Sequence, residues 1–340
     1  MSLTLQYLNE TDIREDQYFA FLKAYYGDRL PGKIERFRWY SSWGNYKVLL
    51  ALDGEEIVGQ NCAYQVETFT NDGIQTIWWG VDAFVLSSHR GQGIGKKLQA
   101  KMFADLPGFS SASYSRVNGI IKRKLGAEPL FVNKYWYYPV SNFFALFSSL
   151  VVKKLFNKDL YSKPFKLVPF LYHCSPRRSG LSLAPVEPDD ALAEFLFQNM
   201  RRKYDWFVVR SRKFLQWKYQ ELPSIMINVK GVYKAGKMVG FVAYSDVYNM
   251  KVIETPVRCV KIMDIVADEA SGITNKMIIR LVVEDIKKKG DYVDGVLSNI
   301  ALGPKLKIEY HTLPVLSSLN VQENIDKPYL TLADQDMEQI

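Results

Sequence analysis

Residues 76–106, TIWWGVDAFVLSSHRGQGIGKKLQAKMFADL, narrow the folds open to this chain more than any other stretch. Residues 76–86 are rich in Ile, Trp, Val and Phe, the composition of a buried strand. Apolar residues then fall at Ile94, Leu98 and Met102, with Phe103 and Leu106 beside them, which is the stripe of an amphipathic helix stopped by Pro107 and Gly108. Between strand and helix lies Arg90-Gly91-Gln92-Gly93-Ile94-Gly95. Glycines there let backbone approach a ligand, and the first amides of the helix, lacking internal partners, point outward at its positive end. Such a terminus is a seat for a pyrophosphate. The glycine spacing is not that of the dinucleotide fingerprint, and Lys96 is followed by Lys97 where a nucleotide P-loop needs Ser or Thr.

A chain of 340 residues has room for two domains, and 48% hydrophobic with 24% charged residues describes a folded protein. Cys62, Cys174 and Cys259 are scattered and without metal-ligand spacing, which fits a reducing cytoplasm better than a disulfide framework. The polar, acidic start is unlike a signal peptide, and no run approaches the roughly 20 apolar residues of a membrane span. A net charge of +8 suits an anionic ligand, while the absence of an arginine-rich run or zinc spacing argues against nucleic acid.

In chain order, 3–8 reads as a strand and Thr11-Asp12 with Glu15 as a capping box starting a helix. A second helix carries the aromatic cluster Phe37, Trp39 and Tyr40. Two antiparallel strands, 47–52 and 57–68, meet at Asp53-Gly54 and lead into the 76–86 strand. After Gly108 follow a strand at 110–115, a short helix at 118–125 and a last strand at 131–138.

This order of elements, together with Arg90-Gly91-Gln92-Gly93-Ile94-Gly95 and the Val85 to Arg90 spacing before it, resembles the GNAT superfamily of acyl-CoA N-acyltransferases over residues 1–140. The resemblance implies an α+β fold, a mixed and mostly antiparallel twisted sheet flanked by helices. It also implies an acetyl-CoA or other acyl-CoA co-substrate and a small-molecule amine acceptor.

Residues 181–340 repeat the plan. Pro188-Asp189-Asp190 stands where Thr11-Asp12 stood, Phe214 to Tyr219 echo Phe37 to Tyr40, Met238-Val239-Gly240 matches Ile57-Val58-Gly59, and the strand ending at Val266 matches the one ending at Val85. A recurrence at roughly 180 residues is far beyond a solenoid period and signals two tandem domains. The second copy, by resemblance, is a degenerate GNAT domain: Ser271 stands near the place of Arg90, Gly272 is the glycine left, and Asp268 and Glu269 would repel a pyrophosphate. The segment 141–180 joins the copies. Its apolar helix, with Phe143, Phe147 and Leu150 ahead of Lys153-Lys154, is read as buried between the domains, with membrane-surface contact through 142–157 the sharper alternative.

Family resemblance assigns Phe84 and Val85 to main-chain contacts with the pantetheine arm and acyl oxygen, and Arg90 to Gly95 to the pyrophosphate, with Lys96 or Lys97 as a further charge. Asp82, on the strand leading to the site, is the candidate general base, and Glu67 on the neighbouring strand is its rival. Many GNAT enzymes protonate the leaving thiolate with a tyrosine on the helix after the fifth strand. Here that helix has no tyrosine and Lys122 falls near its place, which leaves Tyr114 or Tyr135 as substitutes, or a thiolate that leaves to solvent. His89, His173 and His311 read as turn or structural residues. Trp78 and Trp79 read as core, on opposite faces of their strand. By resemblance to polysaccharide-biosynthesis GNAT proteins, the favoured acceptor is an amino sugar or its nucleotide derivative. A non-catalytic acyl-CoA-binding module and a tandem aminoacyl-tRNA-dependent peptidyltransferase are the alternatives.

Overall fold

A computed structural model of the chain describes residues 3–112, 114–139, 180–223, 225–252, 255–291, 293–298, 308–317, 325 and 327–330. The first half runs β1 (Leu3–Tyr7), α1 (Glu15–Tyr26), α2 (Leu30–Ser42), β2 (Tyr46–Asp53), β3 (Glu56–Thr70), β4 (Gly73–Val85), α3 (Ile94–Asp105), β5 (Phe109–Ser111), α4 (Arg116–Lys124) and β6 (Glu128–Pro139). The helix start differs from the sequence expectation. Thr11 spends its hydroxyl on a turn, donating to the Leu8 carbonyl and accepting from the Ile13 amide, so α1 begins only at Glu15, where Gln17 caps the Arg14 amide. The expected hairpin at Asp53-Gly54 is present, with Gly54 at φ +62°.

The second half runs β7 (Leu181–Pro185), α5 (Asp190–Arg201), β8 (Trp206–Val208), α6 (Arg212–Tyr219), β9 (Ile227–Lys234), β10 (Lys237–Ser245), β11 (Tyr248–Val252), β12 (Thr255–Ala267), α7 (Asn275–Lys288), β13 (Gly295–Ser298), β14 (Ile308–Ser317) and β15 (Pro328–Tyr329). The fold is α+β, with two mixed, mostly antiparallel sheets flanked by helices. Parallel contacts interrupt the antiparallel order at β4 beside β5 (Trp78 and Trp79) in the first half, and at β12 beside β13 (residues 259–261) and β15 beside β8 in the second.

The two sheets are joined by exchange. The strand order is β1-β2-β3-β4-β5-β14-β6-β13-β12-β10-β9-β7. Strand β6 of the first half therefore lies against β13 of the second, and β14 of the second lies against β5 of the first. The exchanged strands pair with each other along most of their length, from Ile308 opposite Tyr137 to Ser317 opposite Glu128. At the junction Ser110 and Ser317 share a buried hydroxyl hydrogen bond of 2.7 Å. A second crossing joins β8 to the far end of β3, with β15 beside it.

One apolar core accordingly serves both halves: Tyr18, Trp39, Tyr64 and Trp79 pack in the same cluster as Leu196, Trp206, Trp217 and Phe241. Trp78 faces the opposite way, into the cluster under α3. At the centre of the shared core the indoles of Trp39 and Trp217 stack 4.2 Å apart at 6°, and each donates its Nε1 hydrogen to the other's carbonyl at 2.9 Å. The symmetry of this clasp repeats the symmetry of the sequence. Trp39→Phe removes one donor and leaves the Trp217 carbonyl unpaired, so the variant is expected to lose about 1–2 kcal/mol in urea unfolding. A change within error would show that the clasp is not tensioned by its hydrogen bonds.

The expected apolar helix at 143–151, with Lys153-Lys154, Cys174 and His173, lies outside the described residues, as do the side chains of Tyr135 and His311. Among the described residues no helix is long and apolar enough to cross a membrane.

Candidate functional site

A cleft of about 1360 Å³ opens in the first half, beyond the two β4–β5 pairs, between the end of β4, the start of α3 and α4. Its rim on one side is Arg90, Gly91, Gly93, Ile94, Gly95 and Lys96; its walls include Asp82, Phe84, Val85, Gln99, Ser111 and Tyr114. Of the residues singled out in the sequence, Gln92 and Lys97 are exposed and stand outside this lining. Helix phase explains Lys97, since Gly95 and Gln99 line the cleft and Lys97 falls on the opposite side of α3.

Gly91 and Gly93 sit at φ +83° and +76°, a backbone region that side chains with a Cβ rarely adopt. A Cβ at either would meet nothing within 4 Å, so their role is conformational and the space above them is open. Gly93 is the N-cap of α3 and, being glycine, offers no side chain to the first-turn amides. The corresponding helix of the second half is closed. There Thr274 caps α7 by accepting the Met277 amide, and Asp268 takes the Ser271 hydroxyl. Acidic Asp268 and Glu269 flank that turn, against Arg90 and Lys96 at the first. An anion therefore meets a start without a side-chain cap, with Arg90 and Lys96 beside it, at α3, and a Thr-capped start with Asp268 and Glu269 beside it at α7. Arg90 also donates its Nε hydrogen to the Val85 carbonyl at 3.2 Å, tying the loop to the strand end.

Asp82 sits in a β-bulge. Gln60 opposes Phe84 and Cys62 opposes Val81, so Asn61 faces two residues, Asp82 and Ala83. Asp82 takes φ +44°, an outlier for a residue with a Cβ, of the kind that concentrates at functional positions. Its Oδ1 accepts from the Tyr26 hydroxyl at 3.3 Å and pairs with Lys33 Nζ at 3.4 Å, while Gln60 holds its carbonyl at 3.1 Å. Burial first, then the Asp82 charge, pushes the Tyr26 hydroxyl far above the ordinary phenol range and keeps it protonated as a donor. Tyr25 stacks on Phe84 at 3.8 Å and forms the adjoining wall. Glu67 is exposed and lines a separate, smaller hollow with Trp43 and Lys213, away from the cleft.

On α4, Lys122 is buried, 3% exposed, and its side chain lies in the cleft wall. Its ammonium rests 5.4 Å from the ring centres of both Phe109 and Tyr114. Desolvation lowers its pKa to about 7. Tyr114 lies beside it, its ring so close to Gly119 that a Cβ there would come within 2.7 Å, and burial raises its hydroxyl. His89 also lines the cleft, with its ring bonded through Nδ1 to Ser88 and 3.8 Å from Asp53.

Sequence reasoning missed Tyr26, Lys33, Gln60, Gln99, Arg116 and Arg123 as site residues. Arg116 and Arg123 carried a signal, since a short helix ending Lys122-Arg123-Lys124 after a strand is unusually basic for a core-facing segment. Tyr26 and Lys33 carried none, because their contact with Asp82 spans about fifty positions of chain.

A family model described as the acetyltransferase (GNAT) family matches residues 11–112, from the start of the helical region to β5. No curated protein matches the chain. Among solved structures, a GCN5-related N-acetyltransferase from Anabaena variabilis superposes with a TM-score of 0.60 at 11% identity, covering 92% of this chain and 72% of that one. A probable N-acyltransferase from Enterococcus faecalis gives 0.57 at 14%, covering 93% and 72%. Saccharomyces cerevisiae N-myristoyltransferase with bound myristoyl-CoA gives 0.53 at 12%, covering 93% and 82%. At such identities the likeness is one of fold. The chain has a GNAT acetyltransferase-like fold, carried as two tandem GNAT-like sheets, with the family model falling on the first.

Proposed function

We propose that the chain is an acyl-CoA-dependent N-acyltransferase that works from the cleft of its first half, moving an acetyl or other short acyl group to a primary amine. The observation that carries this reading is the uncapped α3 terminus, with Gly93 as N-cap and Arg90 and Lys96 beside it, facing a cleft large enough for an extended ligand. Arg90, Gly91, Gly93, Ile94, Gly95 and Lys96 would hold the pyrophosphate, and the main chain at Phe84 and Val85 the arm and acyl oxygen. A thioester supplies an activated carbonyl; the chain's part is to orient it, to polarise its oxygen with an aimed amide and to take up the acceptor's proton.

Asp82 is the proposed proton acceptor, directly or through water. Tyr26 and Lys33 fix its oxygen, and the incoming amine would have to share that oxygen with Lys33. Tyr114, which lines the cleft, is retained as the candidate proton donor to the leaving sulfur. The favoured acceptor is an amino sugar or a nucleotide-linked amino sugar, which rests on sequence resemblance. The Lys33–Asp82 pair supports a second reading, a non-catalytic acyl-CoA-binding module in which that carboxylate is already satisfied.

Coenzyme A at about 100 times its dissociation constant is expected to stabilise the protein by about 2.7 kcal/mol in a thermal melt, and an Arg90→Glu, Gly93→Asp double variant to show no such shift. An equal shift in the double variant would remove the cofactor assignment. Release of free thiol from acetyl-CoA on adding a panel of amines then separates the enzyme from the binding module, which would bind and release none.

A further inference from the structure

Among the described residues five cations are buried, Lys33, Arg36, Lys122, Arg210 and Lys218. Lys33 pairs with Asp82, Arg210 pairs with Asp264, and Lys218 lies over the rings of Trp39 and Trp217 in the clasp between the halves. Lys122, like Lys218, is met by aromatic rings, but of these five cations only Lys122 lines the cleft. Among the described residues its ammonium makes no hydrogen bond or ion pair; it rests over two aromatic rings and faces the cleft. The other basic side chains lining that cleft are His89, Arg90, Lys96, Arg116 and Arg123, against the carboxylate of Asp82 alone, so the two rings, and no ion-paired carboxylate among the described residues, support a positive charge on Lys122.

We infer that Lys122 is an acyl-acceptor amine, a site at which the chain modifies itself with an acyl group taken from a thioester bound in the same cleft. The inference rests on the acyl-CoA reading of that cleft. An amine is nucleophilic only when neutral, and burial without a counter-charge favours the neutral form, as the lowered pKa agrees. In the step, the Nζ lone pair attacks the thioester carbonyl carbon, a C–N bond forms and the C–S bond breaks. The thiolate leaves with the electron pair of that bond and takes the proton released by the nitrogen. The products are an acyl-lysine and free thiol, and no further reactant is needed.

Full-length protein is incubated with acetyl-CoA in the absence of any amine, and followed by intact mass and peptide mapping. Lys122 is expected to gain one acetyl group at least about tenfold faster than Lys124, which is exposed on the same helix. Lys122→Arg and Lys122→Met are both expected to abolish the early mass gain; using two variants guards against one that fails to fold. The Arg90→Glu, Gly93→Asp variant is expected to lose the preference for Lys122. If coenzyme A stabilises the protein but Lys122 stays unmodified or lags behind Lys124, this inference fails while the acyl-CoA reading stands. If coenzyme A gives no stabilisation and acetyl-CoA labels exposed lysines indiscriminately, both fail.

Discussion

A chain ending at residue 139 is expected to yield no soluble, cooperatively folding monomer. In a simple tandem each copy keeps its own last strand, and the first could be cut free. Here β6 pairs with β13 and β14, both from the second half, while β5 pairs with β4 on one side and β14 on the other. Truncation therefore leaves β6 without its ladder partners and opens the outer edge of β5, an unpaired hydrogen-bonding edge of the kind that drives aggregation. It also removes Trp206, Trp217 and Leu196 from the cluster that buries Trp39, Tyr64 and Trp79. Solubility, near-ultraviolet circular dichroism and the sharpness of urea unfolding would measure the result. Co-expression with a fragment starting at residue 180 is expected to restore a folded complex, because the pairing is the same between separate chains. A monodisperse 1–139 fragment with a sharp transition would show that the exchange is dispensable and that β6 can fold back on β5.

The exchange marks a limit of what the sequence shows. The two copies were legible, since Phe37 to Tyr40 and Phe214 to Tyr219 recur at matching places and those helices do meet, Trp39 on Trp217. Residues 131–138 were legible as a strand. Which strand they pair with was not: period-two alternation specifies the face a side chain takes, and an antiparallel neighbour from either half satisfies it. The cleft loop was legible because its chemistry is local, six consecutive residues and the turn of helix they open. Asp82 was legible as a carboxylate on the right strand, but its bulge and its ties to Tyr26 and Lys33 depend on where α1 and α2 pack. Lys122 was noted for its position, whereas its burial depends on Phe109 and Tyr114 closing over it. The Thr11 signal misled because the same hydroxyl that caps helices also closes turns, and the local backbone chose the turn.

Arg210→Met is expected to destabilise the protein by about 3–5 kcal/mol, read as a lower urea midpoint at unchanged slope. Gly59 pairs with Val85 and its counterpart Gly240 with Ala267, one residue beyond the Val266 match read from sequence, so by strand register Asp264 takes in β12 the place of Asp82 in β4; yet its side chain and that of Arg210 are both fully buried. Arg210 donates from Nε to Asp264 Oδ2 at 2.6 Å and from a terminal nitrogen to the Val208 carbonyl at 2.7 Å. The Tyr219 hydroxyl donates to the same oxygen at 2.7 Å, and the Tyr329 hydroxyl donates to the other. Methionine fills much of the volume but leaves a carboxylate in the core without its cation, and that unpaired charge is the main penalty. Adding Asp264→Asn to Arg210→Met removes the charge and is expected to recover part of the loss, so the two changes should be clearly non-additive. Lys33→Met in the first half serves as the control. The Lys33–Asp82 pair borders the cleft, with Asp82 15% exposed, and water can solvate the carboxylate left behind, so a loss well below that of Arg210→Met is expected. If Arg210→Met cost no more than Lys33→Met, the second carboxylate would not be locked. The contrast bears on function, because a carboxylate enclosed by a guanidinium and two phenols has no open side for an amine, whereas Asp82 meets the cleft. Duplication followed by closure of one copy at Asp264 and Thr274, and retention of the open form at Asp82 and Gly93, accounts for a two-sheet molecule whose open cleft lies in the first half.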